Sequence, residues 1–252
     1  MSMTIEALLS PSEYQARRVR GFAGEVCVVI DVLRATSVIV TGLANGARGF
    51  VPVEEISKAV GLRAEHPGAL LAGEREGLRI TASQSGGVEF DFGNSPREYI
   101  KARVAGRIIV STTTNGTCAL RACETADAVA VASFLNLTAT AQWFAVRGAA
   151  RVVLVCAGTG DSAALEDILC AGALCELLAA SGQMCVVEDS AEAARRVFRE
   201  SQNDLLGAIR HARNGRRLLE NAELRDDVEF CLRQDIFDVV GLMGRDGMIR
   251  RA

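Results

Sequence analysis

Acidic and basic side chains follow two of the apolar runs in this sequence, where a strand would give way to a loop. Asp31 ends the run VCVVID, with Arg34 three residues later, and Glu74-Arg75 follows the shorter run ALLA. Carboxylate oxygens are ligands that Mg²⁺ prefers. Guanidinium groups bind phosphate or carboxylate through paired hydrogen bonds. These positions predict a site for an anionic ligand and a hard cation.

Hydroxyl and amide groups occur at equivalent positions of other predicted elements. A loop that opens a helix offers backbone N–H groups to a phosphate, and the helix dipole favours the same charge. Such a loop follows the run IIVST and contains Thr113, Thr114, Asn115 and Gly116. A second polar loop contains Asn94 and Ser95, and a predicted helix begins near Glu166 and Asp167. Ligands of open α/β sheets bind where such loops gather.

Each of these segments also has a purely structural interpretation. Asp31 is suited to capping the helix that follows it. Thr112-Thr113-Thr114 is suited to a strand end plus a cap, with Asn115-Gly116 as a turn. Asn94-Ser95-Pro96 is a plausible helix start, since proline is favoured at the first helical position. Glu166 and Asp167 would also suit a solvated helix face. The clustering of four such segments at predicted strand ends favours the functional interpretation.

Net charge, the length of the apolar runs and cysteine spacing limit the class of protein to which this chain can belong. The chain has 28 basic and 31 acidic residues among 252, and a net charge of −3 makes nucleic acid an unsuitable partner. We find neither a signal peptide nor an apolar run of about 20 residues, so we expect no membrane contact and a cytoplasmic location. The eight cysteines form no C-x-x-C pair and are expected to be buried free thiols.

Common catalytic motifs are missing from the sequence. The two histidines, His66 and His211, lie in polar segments, which disfavours a histidine nucleophile or a histidine-rich metal site. The sequence contains no G-x-S-x-G, G-x-G-x-x-G or G-x-x-x-x-G-K-[ST] motif. A site for an anion and a hard metal ion remains after these exclusions.

Short apolar runs alternate with helical patterns along most of the chain. The predicted strands are Val26–Asp31, Arg48–Val53, Ala69–Ala72, Ile108–Thr112, Ala128–Ala132 and Val152–Ala157. Continuous apolar runs separated by helices indicate parallel strands that are buried on both faces. We therefore predict an α/β fold, with a layered, mostly parallel sheet and flanking helices.

The pattern changes after about residue 190, where charged helical segments predominate. We predict helices over Ser190–Glu200, Asp204–Asn214 and Leu224–Arg233, and a strand over Phe237–Val240. No Ser- or Pro-rich linker marks a boundary, so residues 1–252 are expected to form one compact unit with a helix-rich C-terminal portion. That portion is either a sub-lobe or a cap. The sequence leaves open whether the chain forms a homo-oligomer.

Seven stretches of the sequence, taken together, resemble the 2-phosphosulfolactate phosphatases over about two-thirds of the chain. In family order they are VVIDVLRATSVIVTGLANGA (28–47), PVEE (52–55), LAGEREG (71–77), FDFGNSPREY (90–99), VSTTTNGTCAL (110–120), ASFLN (132–136) and VCAGT with ALEDILCAGAL (155–174). The resemblance implies a Mg²⁺-dependent phosphatase that hydrolyses 2-phospho-3-sulfolactate to 3-sulfolactate and phosphate. In that family the reaction serves coenzyme M synthesis.

For such a phosphatase we hypothesise roles for the residues singled out above. Mg²⁺ would be held by Asp31, Glu74 and Asp167, with Glu166 either a fourth ligand or a support behind them. Arg34 would neutralise charge on the phosphoryl oxygens. Whether Asp31 is the nucleophile or a metal-bound water attacks stays open.

The remaining predicted residues would bind the two ends of a small anionic phosphorylated substrate. The phosphate would be cradled by Thr113, Thr114, Asn115 and Gly116. The carboxylate or sulfonate end would be held by Arg75, Asn94 and Ser95. Two alternatives stay open: a phosphatase for another small 2-phospho-hydroxy acid, and a non-catalytic small-anion-binding protein on the same fold.

Overall fold

The strands form a single mixed sheet. The computed structural model describes residues 2–181 and 184–252. The strands of these ranges are β1 (Met3–Leu8), β2 (Val26–Ile30), β3 (Gly49–Pro52), β4 (Leu70–Arg75), β5 (Leu78–Arg79), β6 (Ile108–Thr112), β7 (Ala128–Ala132), β8 (Arg151–Cys156), β9 (Cys185–Val187), β10 (Gly241–Met243) and β11 (Ile249–Arg251). Their order in the sheet is β5-β4-β6-β3-β11-β10-β7-β2-β8-β1-β9.

Helices cover both faces of this sheet. They are α1 (Pro11–Arg18), α2 (Ala35–Ala44), α3 (Ile56–Glu65), α4 (Lys101–Val104), α5 (Gly116–Ala122), α6 (Leu137–Arg147), α7 (Leu165–Ala179), α8 (Asp189–Ser201), α9 (Leu205–Ile209), α10 (Arg213–Glu220) and α11 (Arg225–Cys231). Short 3₁₀ turns occur at Pro96–Glu98 and Phe134–Asn136. In the described ranges no helix is both long and apolar enough to cross a membrane.

Strand β2 shows how the apolar runs build two core layers. All five of its residues are buried. Val28 and Ile30 pack on the face covered by α6, α7 and α8, whereas Cys27 and Val29 pack on the face covered by α1, α2 and α5. Side chains alternate between the two faces of a strand, so a strand covered on both faces must be apolar throughout. The prediction of a layered α/β fold is confirmed.

The sheet contains two parallel groups joined by an antiparallel pair, and β5 lies antiparallel to β4 at one edge. Strands β4, β6 and β3 are parallel to one another, as are β7, β2, β8, β1 and β9. Strands β10 and β11 pair with each other and lie between the groups, antiparallel to β7 and β3 respectively. The predicted strands at Ile108–Thr112 and Ala128–Ala132 are confirmed without change of bounds.

Two predictions for the last third of the chain are wrong. The segment Phe237–Val240 is not a strand, because it bonds to the 3₁₀ turn: Phe237 N donates to Leu135 O, and Val239 O accepts from the Asn136 side chain, both at 2.9 Å. The single helix predicted over Asp204–Asn214 is two helices. It breaks between Ile209 and Arg213, where Ala212 is extended.

The helix-rich C-terminal portion is confirmed, and α8 packs tightly on α7. A Cβ at Gly172 would overlap the backbone of Ala194 and lie 2.8 Å from the Phe198 Cβ. Only glycine therefore allows the two helices to approach so closely at this point. Through this contact α8 belongs to the same core as strands β1 and β8.

Candidate functional site

The loops that follow β2, β4, β6 and β8 border one cavity of about 330 Å³, which we call the central cavity. Its lining includes most of the predicted site residues: Asp31, Arg34, Glu74, Arg75, Asn94, Thr113, Thr114 and Asn115. An adjoining cavity of about 480 Å³ shares Arg34, Gly77 and Asn94 with it and extends to Ser95 and Arg97. The fold therefore brings predicted residues that are distant in sequence to one cavity. The most distant pair, Asp31 and Asn115, is 84 positions apart.

Asp31 lies directly after β2 and faces the central cavity. Its Oδ1 accepts a hydrogen bond at 3.1 Å from N of Ala35, the first residue of α2, whereas the N-cap position is occupied by Arg34. Its backbone is held by Thr36, whose Oγ1 accepts from Asp31 N and donates to Asp31 O. Among the described residues nothing donates a hydrogen bond to Oδ2. One carboxylate oxygen of Asp31 is therefore available to a ligand.

Burial raises the pKa of the Asp31 carboxyl to about 7. The hydrogen bond from Ala35 and the charge of Arg34 oppose that shift, whereas the negative charges of Glu74 and Glu166 add to it. Burial also raises the pKa of Glu166 and, with the charge of Asp31, that of Asp167. A bound cation would stabilise the ionised form of these groups, since an opposite charge nearby lowers a carboxyl pKa.

Glu74 joins the loop after β4 to the loop after β6. Its Oε2 accepts from Gly77 N at 2.7 Å, and its Oε1 accepts from both N and Oγ1 of Thr114 at 2.8 Å. Both carboxylate oxygens thus have donors, and the Thr114 hydroxyl donates to Glu74. Glu74 positions the Thr114 backbone at the edge of the cavity.

Asp167 and Glu166 support the site from the first turn of α7. Asp167 accepts from Val32 N at 2.8 Å and from Gly158 N at 3.0 Å, and so connects the loops after β2 and β8. Glu166 Oε1 accepts from the Asn214 side chain at 2.6 Å. Asp167 is buried behind the central cavity, and Glu166 borders a smaller cavity beneath α10.

The donor set matches a magnesium ion with few protein ligands. Within the described residues, no group of three or more His, Cys, Asp or Glu side chains is arranged to hold a metal ion by itself. Asp31, Glu74, Glu166 and Asp167 are thus not assembled as one ligand group, and their assignment as ligands stays a prediction. Mg²⁺ is usually bound by one or two carboxylates, substrate phosphates and several waters. The free Oδ2 of Asp31, with Glu74 on the same cavity, fits that smaller set.

Arg34 is held by an aspartate that the sequence analysis missed. Arg34 is 3% exposed, and its Nη1 lies 2.7 Å from Oδ2 of Asp227, which is fully buried in α11. Arg34 Nη2 donates to Gly77 O at 2.6 Å. Oδ1 of Asp227 accepts from Ser95 Oγ at 2.6 Å and from Arg97 Nε at 2.8 Å. One carboxylate therefore orients both Arg34 and Ser95.

Two other predicted residues are engaged by their surroundings. Thr113 Oγ1 accepts at 3.2 Å from N of Thr117 in the first turn of α5, whose N-cap position is Asn115. The Arg75 guanidinium donates to the carbonyl oxygens of Glu74 and Thr112 and to Thr112 Oγ1. The roles of Thr113 in cradling phosphate and of Arg75 in binding a second anionic group stay predictions.

Helix α10 contributes three residues to the central cavity that the sequence analysis did not select, namely Asn214, Arg217 and Leu218. Asn214 Nδ2 donates to Thr159 Oγ1 at 2.7 Å as well as to Glu166. The predicted helix over Asp204–Asn214 placed Asn214 at a helix end. The observed break lets α10 turn toward the loop after β8, and no local sequence pattern indicates that contact.

Gly116 allows α5 to approach Asp31, and we expect Gly116→Ala to destabilise the protein. A Cβ at residue 116 would lie 2.6 Å from Asp31 Oδ2 and 2.6 Å from Ala35 Cβ, so one of these must move. We expect the free energy of unfolding in urea to fall by about 1–3 kcal/mol. Gly61→Ala, in α3 with open space around it, is the control and should be neutral or stabilising. Equal stability of the two variants would contradict the prediction.

Asp31→Asn is expected to become more stable relative to the wild type as pH rises. The pKa of Asp31 is about 7 in the folded protein against an ordinary value of 3.8, so the folded state binds more protons between these values. The free energy of unfolding of the wild type therefore falls as pH rises from about 4 to 7 and levels off above, whereas asparagine does not titrate. Thermal denaturation of both proteins in EDTA across this interval measures the difference. A difference independent of pH would show that Asp31 is not protonated in this way.

Comparison with known proteins agrees with the resemblance seen in the sequence motifs. A family model described as 2-phosphosulpholactate phosphatase matches residues 9–245. A protein of Thermotoga petrophila named probable 2-phosphosulfolactate phosphatase is 42% identical over 213 residues, covering 84% of this chain and 86% of that protein. A protein of Clostridium acetobutylicum with the same name is 35% identical over 239 residues, covering 94% and 96%. The chain therefore belongs to the 2-phosphosulfolactate phosphatase family.

Proposed function

We propose that this protein hydrolyses 2-phospho-3-sulfolactate to 3-sulfolactate and inorganic phosphate, and that the reaction requires Mg²⁺. Family membership supports the phosphatase activity. The observation that carries the proposal is the shared cavity of Asp31, whose Oδ2 has no donor among the described residues, and Arg34, whose guanidinium is fixed by Asp227. Together they provide a carboxylate for a metal ion or phosphorus and a cation for the phosphoryl oxygens.

The chain's own residues would bind and orient the ester. Arg34 stabilises the negative charge that develops on the phosphoryl oxygens, and its burial strengthens that interaction. Asp31 would hold Mg²⁺, with Glu74 beside it, or would attack phosphorus itself. When bound, Mg²⁺ supplies charge neutralisation and polarisation of the phosphoryl group. In the net reaction water adds across the ester P–O bond, and the departing alkoxide takes up a proton to become the hydroxyl of 3-sulfolactate.

The cavity explains why its carboxylates do not exclude an anionic ester. Glu74 in the lining accepts three hydrogen bonds, and Asp167 behind the cavity accepts two, all from loop residues. Hydrogen bonds of this kind, together with a divalent cation, offset the repulsion between carboxylate and phosphate. Use of the product in coenzyme M synthesis, which the resemblance implies, is part of this proposal.

The test is phosphate release from three esters: 2-phospho-3-sulfolactate, 2-phospholactate and 2-phosphoglycolate. With Mg²⁺ present we expect the sulfonated ester to be hydrolysed with a kcat/KM at least about tenfold above the others, since one charged hydrogen bond is worth this much. EDTA should abolish release, and added Mg²⁺ should restore it. Equal rates for all three would favour a phosphatase of broader 2-phospho-hydroxy acids. Binding of 3-sulfolactate without release of phosphate from any ester would favour an anion-binding protein.

A further inference from the structure

Helix α10 places an arginine without a partner at the central cavity. Arg217 lines the cavity, and its Nη2 lies 3.0 Å from the position of a Cβ built on Gly77. In the described part of the chain its guanidinium forms neither a hydrogen bond nor an ion pair. The other two arginines of the lining differ. Arg34 pairs with Asp227, and Arg75 donates to backbone oxygens. Arg217 therefore has its donors available for a ligand.

The position of Arg217 is fixed by the first turn of α10. Arg213 Nη2 donates to Thr159 O at 3.1 Å, and Asn214 donates to Thr159 Oγ1 at 2.7 Å and to Glu166. These bonds attach the start of the helix to the loop after β8. Residues three and four positions apart lie on one face of a helix, so Arg217 follows Asn214 on the side that faces the cavity. Arg217 is thus held at the cavity even though its own side chain is exposed.

The charges around the cavity favour a second anionic group near Arg217. The charge of Arg34 is compensated by Asp227, and its guanidinium also donates to Gly77 O. A substrate with phosphate, carboxylate and sulfonate groups brings more negative charge than Mg²⁺ and Arg34 can compensate. A guanidinium with free donors binds an oxyanion through paired, charge-assisted hydrogen bonds. Among the arginines of the described lining, Arg217 is the one with free donors, so it meets this need.

We propose that Arg217 binds the sulfonate group of the substrate and is a determinant of preference for sulfonated over unsulfonated 2-phospho-hydroxy acids. The inference rests on the proposed function, because it assigns one end of that substrate. In this proposal the sulfonate is bound by Arg217 of α10, whereas the sequence predicts Arg75 for that end of the substrate. The donors of Arg75 are directed at Thr112 and Glu74, whereas those of Arg217 are not engaged by described residues.

Calorimetric binding of 3-sulfolactate tests the inference without requiring turnover. The full chain is titrated in Mg²⁺ with 3-sulfolactate and, separately, with inorganic phosphate. We expect Arg217→Gln to weaken binding of 3-sulfolactate about 10-fold or more and to change phosphate affinity less than about twofold. Arg217→Lys should restore part of the loss. Arg216→Gln is the control, because Arg216 is the exposed neighbour that lines neither the central nor the adjoining cavity.

The outcomes separate this inference from the proposed function. Unchanged 3-sulfolactate affinity in Arg217→Gln, an equal loss in Arg216→Gln, or an equal loss for phosphate would overturn the role of Arg217 even if the wild type hydrolyses the ester. Absence of 3-sulfolactate binding by the wild type would overturn it as well. Selective loss in Arg217→Gln with no hydrolysis by the wild type would support the inference and refute the phosphatase activity.

Discussion

Replacing Asp31 by asparagine is expected to lower kcat for phosphate release from 2-phospho-3-sulfolactate about 1000-fold. The substitution keeps the shape of the side chain and its hydrogen bond from Ala35, but removes the negative charge of a carboxylate that lines the cavity directly after β2. That charge is required whether Asp31 holds Mg²⁺ or attacks phosphorus. Steady-state release of phosphate at saturating Mg²⁺ measures the effect.

Asp161→Asn is the matched control for this experiment. Asp161 is an exposed carboxylate in the loop after β8 and does not line the central cavity. We expect its replacement to leave kcat within about twofold of the wild-type value, because substitutions of exposed residues outside a site have small effects. Turnover of Asp31→Asn close to that of the wild type would remove Asp31 from any essential role and, with it, the main support for the proposed chemistry.

Asp227→Asn is expected to reduce both stability and activity, because it leaves the Arg34 guanidinium buried without a counter-charge. Asp227 is fully buried and accepts from Arg34, Ser95 and Arg97. Removing one partner of a buried ion pair costs about 3–5 kcal/mol. Loss of a correctly placed cation at the phosphoryl group lowers kcat about 100-fold. Urea denaturation and phosphate release, the latter measured well below the melting temperature, report the two effects.

Two further variants separate positioning by Asp227 from a purely structural role. Asp226→Asn is the neighbouring control, since the Asp226 side chain is 66% exposed and its pair with Arg97 at 3.3 Å lies at the surface. Such pairs contribute about 0–1 kcal/mol. In an Arg34→Gln background, Asp227→Asn should change kcat by less than about threefold, because the group it positions is already gone. A full 100-fold loss in that background would show that Asp227 acts independently of Arg34.

The strands that sequence analysis predicted correctly are those buried on both faces. Val26–Ile30 and Ala128–Ala132 lie inside the sheet with a helix layer on each side, so each is a continuous apolar run. Strand β1, Met3–Leu8, was missed because Thr4 and Glu6 are only half-buried and interrupt the run. Strands β10 and β11 are three residues long and form by pairing with distant strands. Such pairing leaves little local pattern to detect.

Site residues were predictable where the fold itself defines the position. Asp31 immediately follows β2, Thr114 lies two residues after β6, and Glu74 is the next-to-last residue of β4. The ends of parallel strands are where ligands gather. Asp227 and Arg217 were not predictable in this way, because they lie on helices whose packing depends on contacts distant in sequence. Their charged, amphipathic segments are equally typical of a solvated helix.

The position of β10 and β11 in the sheet makes the geometry of the site depend on residues remote from it. Asp31 and Thr159 extend from one parallel group of strands, and Glu74 and Thr114 from the other. In the described chain, every strand-to-strand ladder between the groups passes through Gly241–Met243 and Ile249–Arg251. The alignment of the two halves of the cavity within the sheet therefore depends on residues 241–251, none of which lines the cavity itself.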